Sequence, residues 1–145
     1  MFRLLFLFII AVMTAACAAG VTSGAKSRDN DPQAVVGKTW QWEMTITAEA
    51  KISAAVPERY TLLLGDDGRA QVRFDCNRGG GSYTISAGRL SFGPMMATRM
   101  ACPSDSQDFL FMRDLSRVVS FYIENDRLYL GLEKDGGAMR LKPSI

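Results

Sequence analysis

From about residue 40 onward, apolar and polar positions alternate with period two, the spacing of strands that bury one face. Trp40, Trp42, Met44 and Ile46 fall on one side, with Gln41, Glu43 and Thr45 on the other. Tyr60 to Leu64 forms a second run. Ala70, Val72 and Phe74 alternate with Gln71, Arg73 and Asp75 in a third. Tyr83–Ile85 and Leu90–Phe92 read as a shorter hairpin. Phe121 and Ile123, then Leu128, Leu130 and Leu132, then Met139 and Leu141 continue the pattern to the C-terminus. Turn chemistry separates the runs at Asp66-Asp67-Gly68, Ala87-Gly88, Asn125-Asp126 and Asp135-Gly136-Gly137, because Gly, Asn and Asp accept the positive φ of tight hairpins. Ala48–Pro57 is small, polar and interrupted by proline, and reads as a loop or a weak edge strand.

One segment breaks this rhythm. Ser104 followed by Gln107 resembles a capping box, with Pro103 just ahead of it. Phe109, Met112, Leu115 and Val119 recur at helical spacing, with Leu110 and Phe111 beside them. Asp105 and Asp108 early, with Arg113 and Arg117 late, suit the helix dipole. The pattern predicts a mainly β, compact antiparallel barrel-like or sandwich domain with one α-helix near residues 105–118. That helix lies between two groups of strands, where it can plug or cover an open side.

The N-terminus is different in kind. A basic start at Arg3 leads into an apolar run from Leu4, too short for a membrane span of about 20 residues and suited to a signal-peptide core. Met13-Thr14-Ala15-Ala16-Cys17 looks like a bacterial lipobox, with Thr14 in place of the more usual leucine. This predicts a lipoprotein-type signal peptide over 1–16 and lipidation of Cys17; an ordinary signal peptide cut nearby is the alternative. Residues 17–33 are rich in Ala, Gly, Ser, Asp and Asn and read as a flexible tether to a folded domain over 34–145.

Composition narrows the chemistry. Of 145 residues 48% are hydrophobic, enough for a packed core, and the formal charge of +2 with scattered basic residues leaves no footprint for nucleic acid. The histidine count is 0, which removes Ser-His-Asp and Cys-His catalysis and the commonest zinc ligand sets. No cofactor is expected, no catalytic residues are assigned, and the reading is a non-enzyme. The cysteine count is 3, so lipidation of Cys17 leaves Cys76 and Cys102 as an even pair. An exported protein favours a structural disulfide between them. The competing reading is a reactive thiol with its pKa lowered by Arg78, Arg99 or a helix N-terminus.

Gly79-Gly80-Gly81 lacks the lysine and the strand-to-helix setting of a phosphate loop, so it reads as a tight turn or a close backbone approach. Met95, Met96 and Met100 admit a Cu(I) site, but core filling is the commoner use of methionine and no metal site is assigned. Arg99 suits a structural ion pair, with Asp75 as a candidate partner, or a ligand anchor. Asp66-Asp67 reads as a turn former. Asn77, Arg78, Gly79, Gly80, Gly81 and Arg99, beside the cysteine pair, form the candidate binding surface.

The motifs Gly37-Lys38-Thr39-Trp40, Asp75-Cys76-Asn77, Gly81-Ser82-Tyr83, Leu90-Ser91-Phe92, Ala97-Thr98-Arg99-Met100-Ala101-Cys102 and Arg127-Leu128-Tyr129-Leu130 occur in this order along the chain. In these motifs the chain resembles the META/HslJ family of small bacterial proteins, many of them envelope lipoproteins. The resemblance spans about residues 34–142; Lys51–Pro57 is longer and more Ala-rich than the family pattern. It implies a mostly antiparallel, lipocalin-like β domain with one helix, a link to heat shock and antibiotic tolerance, and no established reaction. The expectation is a lipid-anchored protein on the periplasmic face of the outer membrane. It would act in stress tolerance by binding an unidentified envelope component, a protein or a small ligand, with Cys17 anchoring it in the membrane. The alternatives are a small-ligand module with a lipocalin-like cavity, and an inhibitor of a secreted enzyme.

Overall fold

The structure is a computed structural model that describes residues 28–134 and 136–145. The predicted leader, Cys17 and most of the predicted tether lie outside the described residues. The strands are β1 (Thr39–Ile46), β2 (Lys51–Ser53), β3 (Tyr60–Leu64), β4 (Arg69–Phe74), β5 (Asn77–Ser86), β6 (Arg89–Phe92), β7 (Met96–Ala97), β8 (Val118–Glu124), β9 (Arg127–Leu132) and β10 (Ala138–Pro143). The helix α1 (Asp108–Leu115) lies between β7 and β8.

The strands close into an antiparallel barrel of 8, in the order β1-β3-β4-β5-β6-β8-β9-β10, with β10 returning to β1. Closure removes the free edges that an open sheet of this size would expose. β2 extends the second half of β1, and β7 lies along the first half of β5. Alternation places Trp40, Trp42, Leu62, Leu64, Val72, Phe74, Leu128, Leu130, Met139 and Leu141 inside, all buried. The weakest seam lies between β6 and β8, where the register joins only Arg89 to Ser120.

The two mouths of the barrel are closed differently. At one, tight turns run through Gly68, Gly88, Asn125 and Asp126, all at positive φ. The N-terminal segment lies over this mouth. Asp29 and Ile123 exchange both backbone hydrogen bonds, at 2.9 and 2.6 Å. The Gly88 amide donates to the Asn30 carbonyl at 3.3 Å. Asp31 caps the short 3₁₀ turn Pro32–Ala34 by accepting from the Gln33 amide. Val35 then enters the core, and the Trp40 indole donates to its carbonyl. The chain is thus hydrogen-bonded to the domain from Asp29, inside the stretch that composition assigns to the tether.

At the other mouth α1 acts as a plug. Phe111 stacks on Trp42 at 5.4 Å between ring centroids and meets Tyr60 and Phe74 at 5.8 Å each. Trp42, Tyr60 and Phe74 thus surround Phe111, and all four rings are buried.

The helix is shorter than its sequence pattern predicts. Residues 104–105 form a turn, and the Gln107 side chain bonds the Ala55 amide and the Ser53 carbonyl instead of closing a capping box. Val118 and Val119, β-branched and strand-favouring, belong to β8. The inward residues are Phe111, Asp114 and Leu115, whereas Phe109 is 73% exposed. With only 8 residues, the helix takes its orientation from the aromatic mouth it fills, not from its own apolar stripe.

Candidate functional site

The connection from Gly93 to Gln107 crosses the helix mouth and is fastened at several points. Cys76 and Cys102 form a disulfide with Cα atoms 5.5 Å apart, closing a sequence separation of 26. Next to it, the buried Asn77 accepts from the Met100 amide at 2.8 Å and from the Thr98 hydroxyl at 2.9 Å, and donates to the Met100 carbonyl at 3.1 Å. Thr98 and Arg78 are joined by a backbone bond of 3.0 Å. The Cys76 pair and the Asn77 amide therefore hold one strap, by covalent and polar means together.

Asp75 turns the chain between β4 and β5 at φ 61 and is buried. The Arg59 guanidinium donates to both its carboxylate oxygens at 2.5 Å, and a third arm reaches Asp105 at 3.2 Å. The Arg59 fork holds the Asp75 carboxyl below its ordinary range despite the opposing effect of burial, with Ser106 and Arg73 assisting. The same hydrogen bonds raise the Arg59 pKa.

The expected binding surface divides under this geometry. Asn77 is consumed by the strap. Gly79, Gly80 and Gly81 lie within β5, not in a turn. Their lack of side chains serves close approach: a Cβ at Gly79 would sit 2.1 Å from the Met96 carbonyl oxygen, and one at Gly81 would sit 2.6 Å from that of Pro94. Arg78 and Arg99 are exposed, and the partner of Asp75 is Arg59, not Arg99. The disulfide leaves neither Cys76 nor Cys102 as a free thiol.

What the strap builds is a groove on the outside of the barrel. One wall is Phe92, Gly93, Pro94 and Met95; the other is Phe109, Met112, Arg113 and Ser116 of α1 and its end. Its volume of about 500 Å³ lies within the usual range of ligand sites. It occupies the gap that opens where β6 and β8 part. Its charged lining residue is Arg113, whose Nε and Nη2 donate to Asp114 Oδ1 at 2.9 and 2.7 Å. Asp114 is buried and also accepts from the Thr45 hydroxyl at 2.8 Å, which in turn accepts from the Trp42 indole at 3.2 Å. A chain of hydrogen bonds thus runs from the core to the groove and fixes the guanidinium.

Phe109 is exposed on the rim of the groove, and Met96 at 82% and Met100 at 58% are exposed elsewhere along the strap. Met95 packs partly against the core, so among these methionines core filling describes that residue best. No cluster of three or more His, Cys, Asp or Glu able to hold a metal occurs among the described residues.

The barrel interior is filled, unlike a lipocalin cavity: Trp42, Leu62, Leu128, Leu130 and Leu141 have no accessible surface. Sequence reasoning missed the groove. Its available signal was the apolar cluster Phe109-Leu110-Phe111-Met112, which covers more of a helix than a single buried face requires.

Comparison with solved structures gives the same architecture. A solution NMR structure of a protein from Burkholderia xenovorans is similar with a TM-score of 0.65 and 24% identity, over 77% of this chain and 85% of that one. A crystal structure of a duf4847 family protein from Bacteroides vulgatus matches with a TM-score of 0.56 and 11% identity, over 74% of this chain and 93% of that one. At these identities the likeness is one of fold. No curated protein matches the sequence. The model of the META domain family matches residues 33–144, and the chain belongs to that family.

Proposed function

We propose that this META domain is a non-catalytic binding module of the cell envelope, anchored by lipid at Cys17, that contributes to stress tolerance by holding an envelope component in the groove between α1 and Phe92–Met95. One observation carries this reading. The barrel core is filled, while an apolar-walled groove of about 500 Å³, with the exposed Phe109 on its rim, lies outside it at the helix mouth. Apolar surface concentrated in this way marks interaction sites more often than it marks folding needs. The lipobox-like Met13–Cys17 supports the anchor, and the N-terminal segment supports its direction. It joins the barrel at Asp29, at the mouth opposite α1, so an anchored domain presents the groove away from the membrane.

The test is survival of heat and antibiotic challenge in a deletion strain carrying wild type, Phe109→Asp or Cys17→Ser. Phe109 is exposed, so its replacement leaves the fold intact. The expected result is rescue by wild type and failure by both variants at equal protein level. Full rescue by Phe109→Asp overturns the groove's part in stress tolerance; full rescue by Cys17→Ser overturns the anchor.

A further inference from the structure

Resting on that reading of the groove, we infer that its occupant is a single-chain amphiphile with a terminal carboxylate, a free fatty acid. Three features point to this chemistry. The walls at Phe92, Pro94, Met95, Phe109 and Met112 are apolar, and thioether side chains adapt to a flexible alkyl chain. The volume of about 500 Å³ suits a small ligand. The charged group in the lining is the guanidinium of Arg113.

The two contacts to Asp114 use Nε and one hydrogen of Nη2. Nη1 and the second Nη2 hydrogen remain as donors, and the side chain is 41% exposed. Asp114 itself points inward, with its second oxygen on Thr45. The acid is therefore spent on orienting the base, and the base presents its outer edge. A carboxylate can take that edge in the planar geometry that guanidinium favours, while its chain lies along Met112 and Phe109. Ser116 lines the same groove but donates its hydroxyl to the Arg113 carbonyl at 2.7 Å, so it does not compete for the head group.

The experiment is a titration of the full chain, carrying ¹³C-methyl methionine, with sodium dodecanoate, sodium decanoate and dodecyltrimethylammonium, all below their micellar concentrations. Saturable shifts are expected at Met95 and Met112 and not at Met44 or Met139. Dodecanoate should bind about 10-fold tighter than the cationic amphiphile of equal tail length, the size of a lost charge-assisted hydrogen bond. It should also bind more tightly than decanoate, by up to about fourfold for each methylene buried. Phe109→Asp should weaken dodecanoate by about 10-fold or more, and Arg113→Lys, which keeps the charge and loses the fork, by a few-fold.

Equal binding of the two head groups, or shifts spread over all methionines, overturns the inference. So do groove shifts that track protein concentration alone, which would make a second copy of the chain the occupant. If dodecanoate does not bind while Phe109→Asp still abolishes stress survival, this inference falls and the broader function stands. If dodecanoate binds as described while Phe109→Asp cells survive normally, the inference stands and the stress role falls.

Discussion

The two mouths of this barrel solve the same problem with different means. At the N-terminal mouth, neighbouring strands connect through short turns, and a few backbone hydrogen bonds from Asp29 and Asn30 lay the incoming chain across the opening. At the helix mouth, a single connection from Gly93 to Arg117 must travel between β6 and β8. It is held by a disulfide, by Asn77, by the Arg59–Asp75 fork and by the Phe111 plug. Local closure needs no long connection. Long-range closure leaves a strap, a helix and a gap between two strands, and that gap is the groove. The proposed binding groove is thus a by-product of how this mouth is sealed, so substitutions that loosen the seal should also disturb the groove.

Perturbations should therefore be large at the helix mouth and small at the N-terminal one. The largest is Phe111→Ala, which empties the centre of four packed rings and should cost about 3–5 kcal/mol in a denaturant melt. A loss near 1 kcal/mol would mean the plug is not integral to the core. Reduction of the Cys76–Cys102 bond, or Cys76→Ser, should cost about 3–4 kcal/mol for a loop of this length; equal melting temperatures with and without reductant would remove the strap from the account.

The Asp75 fork adds a pH signature. Its folded pKa lies below the ordinary value of 3.8, so the pair stabilises the fold above that value and the contribution fades as pH falls through the folded pKa. Melting temperature should drop more steeply for wild type than for Asp75→Asn below about pH 4. Parallel curves would show that Arg59 does not act through this carboxylate. The smallest effect belongs to the N-terminal mouth. Arg28 lies 4.6 Å from the Tyr122 ring centroid and 3.5 Å from Glu124, and Arg28→Ala should cost about 0.5–1 kcal/mol. A loss matching that of the disulfide would erase the contrast between the mouths.

Legibility follows the same division. Strands such as β4, with Ala70, Val72 and Phe74 buried and Arg69 and Gln71 exposed, announce themselves because one face meets the core along their whole length. The turns at Gly68 and Gly88 are readable because their backbone geometry limits which residues fit. The cysteine pair is readable from parity and from the export that the leader predicts. The glycine run is not: three residues without side chains carry no periodicity, so a strand under a crossing strap looks like a loop. The helix face was unreadable because the barrel mouth, not the helix, selects Phe111 over Phe109. Arg59 and Asp75 lie 16 positions apart with no local pattern to join them, which is why Arg99, nearer to the cysteine motif, looked the better partner.

The proposed recognition outside the barrel at the helix mouth is tested most directly by placing a photoreactive amino acid at Phe109 and, separately, at Asp66 in the opposite mouth, and irradiating cells that carry each. Adducts, whether to lipid or to protein, are predicted from position 109 and not from position 66. Adducts from position 66 at equal or greater yield would contradict the account.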